Sequence, residues 1–172
     1  MLRYMLRIIV LTVIVPFFCG AADDDESDDF QVQINVENGH LGKLFFGCEK
    51  DASEKYDRGQ DIMSPPPGRG TGYTVFMVPE HKLRLYKDIR KLKRRNTWQL
   101  YAQVYKDDPV KLSWNPDKLP KNRFFYIQKG GKNQVQENKK AKAKKEKKFN
   151  MRKKNSLTVG TTSTVTIIAT KK

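Results

Sequence analysis

Three groups of residues in this chain have types and spacing that could do chemistry. The first is acidic: Glu49, Asp51, Asp57 and Asp61 lie in one short stretch. A calcium ion takes about six to eight oxygens from carboxylates and carbonyls, so these four form a candidate calcium site. Their spacing is not that of an EF-hand loop. The competing reading is that the aspartates cap turns through local hydrogen bonds while Tyr56 packs. Calcium is the one candidate ion, and no other cofactor is indicated.

The second group is basic. Residues 129–154 hold twelve Lys or Arg against two Glu, centred on Lys139, Lys140, Lys142, Lys144, Lys145, Lys147 and Lys148. Such a run attracts phosphate-rich polyanions: nucleic acid, lipopolysaccharide, teichoic acid or anionic lipid. Binding of that kind is driven by counterion release and weakens steeply with salt. The run has no aromatic ring of its own on which a base could stack, the nearest being Phe149, which argues against base-specific recognition. The competing reading is a solvated loop that only aids solubility.

The third group is sparse. His40 and His81 are distant from each other, each in a turn or loop, and the cysteines are Cys19 and Cys48. No Cys–His–acid constellation, zinc spacing or glycine-rich phosphate loop is present in the sequence. The inventory therefore points to a non-enzyme with no small-molecule substrate. Cys48 lies in an apolar stretch and reads as a small buried hydrophobe.

The elements that carry these groups begin with an export signal. Arg3 and Arg7 precede an apolar run, Ile8 to Cys19, and small residues follow at Gly20, Ala21 and Ala22. That is the layout of a signal peptide over residues 1–22, cleaved near Ala21 or Ala22. The run is too short to span a bilayer comfortably, since a spanning helix needs ~20 apolar residues. The expected location is secreted, periplasmic or in the cell envelope. Lipidation at Cys19 is a weaker alternative, because a large Phe18 precedes it. After the signal comes an acidic stretch, 23–29, with six acids and no base, expected to be a disordered leader. One cysteine then remains, so no internal disulfide can form and the fold stands on its core.

Residues 30–172 read as one all-β domain. Phe30, Val32, Ile34 and Val36 alternate with polar residues, as in a strand with one buried face. Leu44 to Cys48 and Tyr73 to Val78 are further strands. Residues 49–70, with Pro65, Pro66 and Pro67, read as a crossing loop. Residues 80–95 read as a short strand and a solvated loop. In 97–105 the residues Trp98, Leu100, Ala102 and Val104 share one face. Asp107-Asp108-Pro109 predicts a turn into Val110, Leu112 and Trp114, which would complete a hairpin. Trp98, Leu100, Val104, Leu112 and Trp114 are the expected core anchors. Strands at 124–128, 149–152, 156–159 and 164–169 complete the set, the last two turned by Gly160 and its neighbouring threonines. The lysine-rich segment 129–148 then sits as an expanded hairpin insertion, longer than a compact domain usually allows. About eight close-spaced strands without an amphipathic helix predict an antiparallel β-sandwich.

The order of motifs adds a resemblance. Tyr56-Asp57-Arg58-Gly59-Gln60-Asp61, Pro65-Pro66-Pro67, Asp88-Ile89-Arg90, Thr97-Trp98, Pro109 to Asn115, Leu119-Pro120 and Asn150-Met151-Arg152 follow one another along the chain. Together they resemble an Ig-like or fibronectin-like β-sandwich module of secreted and surface proteins of bacteria. The resemblance covers roughly residues 40–170 and implies no catalytic activity. It implies instead a structural or adhesive role at the cell envelope, with envelope components or other surface proteins as partners. Where the family pattern has a tight turn before the Met-Arg motif, this chain has the lysine-rich segment. The alternative is therefore a polyanion-binding accessory protein that works through that segment.

Overall fold

The computed structural model describes residues 28–70, 72–78, 82–130 and 147–172. The readings made of the signal peptide, of Cys19, of residues 23–27, of His81 and of most of the lysine-rich insertion lie outside these residues. The described chain is all-β, as the alternation predicts. Its strands are β1 (Phe30–Glu37), β2 (Lys43–Glu49), β3 (Ile62–Met63), β4 (Tyr73–Val78), β5 (Leu83–Lys91) and β6 (Arg95–Gln103). They continue with β7 (Val110–Ser113), β8 (Arg123–Lys129), β9 (Lys148–Asn150), β10 (Ser156–Val159) and β11 (Ser163–Lys171). One short 3₁₀ turn, Pro116–Lys118, is capped by the Asn115 side chain accepting from the Asp117 amide. Among the described residues no helix is long and apolar enough to cross a membrane.

The strands form one continuous sheet in the order β10-β7-β1-β2-β5-β4-β6-β11-β8-β9, with β3 pairing on β5, curled into a half-barrel. Period-two alternation builds the inner wall. Val32, Ile34 and Val36 of β1, Leu44, Phe46 and Cys48 of β2, and Trp98, Leu100 and Ala102 of β6 are all buried. Across the interior, Phe46 meets Trp98 at 4.9 Å between ring centroids and Phe125 of β8 at 6.4 Å. Burying side chains of this size is the main drive for the sheet to curl.

Several expectations need correction. The sheet is mixed, because β2 and β5 run parallel, with Phe45 opposite Lys87 and Glu49 opposite Lys91. The 97–105 strand does not form a hairpin with 110–114. β6 pairs with β4 and β11, while β7 pairs with β1 and β10. A single bridge, Tyr105 to Asp108, closes the local turn, and Lys106 and Asp107 adopt positive φ there. The turn then sends the chain to the other wall instead of back along β6. Likewise Gly160 does not turn β10 onto β11, which belong to different parts of the sheet. Val104 ends up beyond β6, half-buried against the edge of the core. The stretch 80–95 contains a full nine-residue strand, β5, which serves both walls: Leu83–Leu85 pair with β4 and Lys87–Lys91 with β2. The crossing loop contains a two-residue strand, β3. The acidic stretch is tied down at its end, since the Asp28 carboxylate accepts from Asn122 and from Lys171 at 3.0 Å, and Asp29 accepts from the Lys50 amide at 2.8 Å.

The two edges of the sheet are drawn together by residues 151–155, which link β9 at one edge to β10 at the other. Trp114 is the clasp. Its indole N–H donates to the Met151 carbonyl at 2.8 Å and its amide to the Asn155 carbonyl at 2.9 Å. The Met151 amide donates in turn to Phe125 of β8 at 3.0 Å. One residue, Met151, thus ties the two walls through the peptide groups on either side of it.

Candidate functional site

The four acids of the candidate calcium site are not gathered. Asp61 is buried, with one carboxylate oxygen accepting from the Ile89 amide at 2.7 Å and the other from the Asp57 amide at 2.9 Å. Asp57 accepts from the Ser53 amide at 2.6 Å. Asp51 is exposed and Glu49 half-exposed. Among the described residues no three acid, His or Cys side chains converge to hold a metal ion. The aspartates cap turns and fasten the 49–61 loop over β5, which is the competing reading of the sequence. Burial pushes the Asp61 carboxyl upward, against the pull of its two amide donors.

The motifs that carried the resemblance prove to be joints of the frame. Arg90 donates to the buried Asp88 carboxylate at 2.9 to 3.3 Å and to the Thr97 carbonyl at 2.8 Å, linking β5 to β6. Arg152 donates to the carbonyls of Leu119, at 3.0 Å, and Pro120. Trp114 and Met151 form the clasp. These contacts satisfy polar groups of the frame that would otherwise cost free energy if buried unpaired.

His40 is also framework. Its Nδ1 accepts from the Thr74 amide at 3.3 Å, its Nε2 lies 3.1 Å from Ser64 Oγ, and its ring lies 4.4 Å from that of Tyr73. Burial holds its pKa below the usual histidine range. Cys48 is fully buried, and loss of solvation pushes its thiol up to about 12. Such a thiol is not a nucleophile at neutral pH.

The lysine-rich hairpin shows its stem. β8 and β9 pair antiparallel, with Tyr126 opposite Asn150 and Gln128 opposite Lys148. Lys139, Lys140, Lys142, Lys144 and Lys145 lie outside the described residues, whereas Lys147 and Lys148 are exposed at the foot. There the structure supplies what the sequence of the loop lacks. Lys148 Nζ sits 3.8 Å from the centroid of the Tyr126 ring, and Phe149 is flanked by Lys147 at 5.3 Å and Lys154 at 4.2 Å. Two half-exposed rings and three ammonium groups thus make two cation–ring sites, Lys148 over Tyr126 on one face of the ladder and Lys147 and Lys154 over Phe149 on the other. Strand pairing brings Lys148 to Tyr126, a neighbour that linear distance conceals, while Phe149 pairs with Ile127 on the inner face.

Sequence reasoning missed Arg123. It is 1 % exposed, donates to the Lys93 carbonyl at 2.9 Å and lies over the Phe30 ring at 5.6 Å. A signal was present: Arg123 shares the period-two face of Phe125 and Ile127, but the expected strand began one residue too late to include it. No family model, curated protein or solved structure matches the chain.

Proposed function

We propose that this chain is an exported, non-catalytic module with an Ig-like or fibronectin-like frame, serving an adhesive role at the cell envelope by holding polyanions on its lysine-rich hairpin. The observation that carries this reading is the hairpin foot, where Lys148 stands over Tyr126 on one face and Lys147 and Lys154 stand over Phe149 on the other. Cations placed against rings give a polyanion both charge neutralisation and a flat surface for any planar group it bears. The rest of the frame supports this by exclusion of other tasks: Asp61, Asp88, His40 and Arg152 have their hydrogen-bonding capacity directed inward. Affinity is expected to rest on ion release, so a plot of log affinity against log salt for a fluorescent polyphosphate should be linear and steep. A flat plot, or no binding at low salt, would overturn the reading.

Export is tested separately by mass spectrometry of the native N-terminus. A mature chain starting near Ala22 or Asp23 is expected. An intact Met1 would remove the envelope from the proposal, and a lipid on Cys19 would make the protein membrane-anchored. A second reading, adhesion to another surface protein through a sheet edge, draws on β3, where Ile62 and Met63 are 45 % and 54 % exposed. Binding of that kind would resist salt, which separates the two.

A further inference from the structure

At the other end of β8 from the lysine-rich hairpin lies a second basic feature. Arg123 opens the strand and Lys129 closes it, so the two ends are separated by ~20 Å at ~3.3 Å per residue. A cleft of about 390 Å3 is lined there by Arg123, Lys93, Arg94, Lys171, Lys172 and Asp28. Five cations thus line the cleft with one carboxylate, although Lys93 also pairs with Glu54 at 2.8 Å. The fold assembles them from the β5–β6 turn, the start of β8 and the C-terminal end of β11.

Arg123 is the unusual member. Its guanidinium is buried, its Nε has no hydrogen-bond partner, and no carboxylate lies within ion-pair distance of it among the described residues. A buried charge without a counterion is costly unless a partner satisfies it. Guanidinium groups match the paired oxygens of phosphate and carboxylate, and they do so best when fixed, as Arg123 is by the Lys93 carbonyl and the Phe30 ring. Asp28 approaches from the N-terminal side. It bonds to Lys171 and Asn122 but stops short of an ion pair with Arg123.

We propose that this cleft is a seat for a tetrahedral oxyanion, phosphate or sulfate, which Asp28 occupies from within the chain and cedes when a stronger anion arrives. The site is independent of the hairpin. Asp28 competes as a tethered monoanion, so the ligand must bring more charge or more oxygens than a carboxylate.

The test is an amide-resolved NMR titration of the chain from Asp23 onward with inorganic phosphate and, separately, with sulfate, at ionic strength held constant with chloride. The amides of Arg94, Asn122 and Arg123 should shift in a saturable way. Asp28→Asn should tighten the binding at least tenfold, and Arg94→Ala with Lys171→Ala in that background should weaken it at least tenfold. Deleting 132–148 should leave it unchanged. Arg123→Lys keeps the charge but loses the fork, and should weaken binding if it folds; the two exposed substitutions stand in its place if it does not. Which of phosphate and sulfate binds tighter identifies the source of the oxyanion. Binding no tighter in Asp28→Asn than in the parent, binding that survives Arg94→Ala with Lys171→Ala, or binding lost with the hairpin would each overturn the proposal.

Discussion

At the scale of single residues, the two tryptophans differ in a testable way. Trp114 donates to the Met151 carbonyl, whereas the indole N–H of Trp98 has no partner among the described residues although the ring is fully buried. Trp114→Phe strands a carbonyl in the clasp, which adds about 1–3 kcal/mol to the lost volume. Trp98→Phe loses volume alone. Urea unfolding should find Trp114→Phe the costlier of the two. His40 gives a pH dependence. Its folded pKa lies below the unfolded 6.5, so between the two values the unfolded chain binds a proton that the folded chain does not. Stability contributed here is full above 6.5 and falls as pH drops toward the folded value. The urea midpoint should decline from pH 7 to pH 5, and His40→Asn should flatten that decline. Cys48 supplies a third check: in a chain beginning at Asp23 its thiol should resist alkylation at pH 8 until denaturant is added, because burial holds it protonated. Both Trp roles as core anchors were legible in the alternation around them. That Trp114 reaches Met151 was not, because the contact joins residues 37 apart in sequence.

At the scale of elements, the parallel contact between β2 and β5 is the least expected and the most constrained. A Cβ placed on Gly47 would lie 2.1 Å from the Phe30 carbonyl oxygen and 3.0 Å from Ile89 Cδ1. Backbone would have to move, so Gly47→Ala should cost about 1–3 kcal/mol or more in urea unfolding. Gly160→Ala meets nothing within 4 Å and should be close to neutral. Strands with one solvated face, β1 and β6 above all, were readable because each alternates cleanly between apolar and polar residues. β5 was not. Its Lys87, Arg90 and Lys91 disguise it as a solvated loop, and Asp88 is buried only because Arg90 lies beside it. Pairing partners were less legible still. Turn chemistry fixes a local reversal at 105–108, but the wall β7 joins depends on which buried face it completes, a global property. The acids of the 49–61 loop were legible as a cluster and not as a site, since spacing does not reveal that backbone amides already claim their oxygens.

At the scale of the whole molecule, a rolled all-β frame puts basic charge at both ends of β8: the hairpin beyond Lys129 and the cleft around Arg123. The net charge of +15 is unevenly spread along the sequence, with its basic run at 129–154, and the fold adds a second basic surface around Arg123. On the proposed function, the hairpin, and not overall charge, holds polyanions. This is tested most directly by elution from an immobilised polyphosphate column under a sodium chloride gradient. Deleting 132–148 removes eight lysines and two glutamates, six net positive charges. The comparison is a full-length variant in which Lys43, Lys50, Lys55, Lys82, Lys106 and Lys118 are all changed to Gln, again six charges. With unchanged circular dichroism in both, the deletion should elute at much lower salt than the parent and the six-fold variant close to the parent. If the two variants elute together, or if the deletion elutes with the parent, the hairpin is not the binding surface.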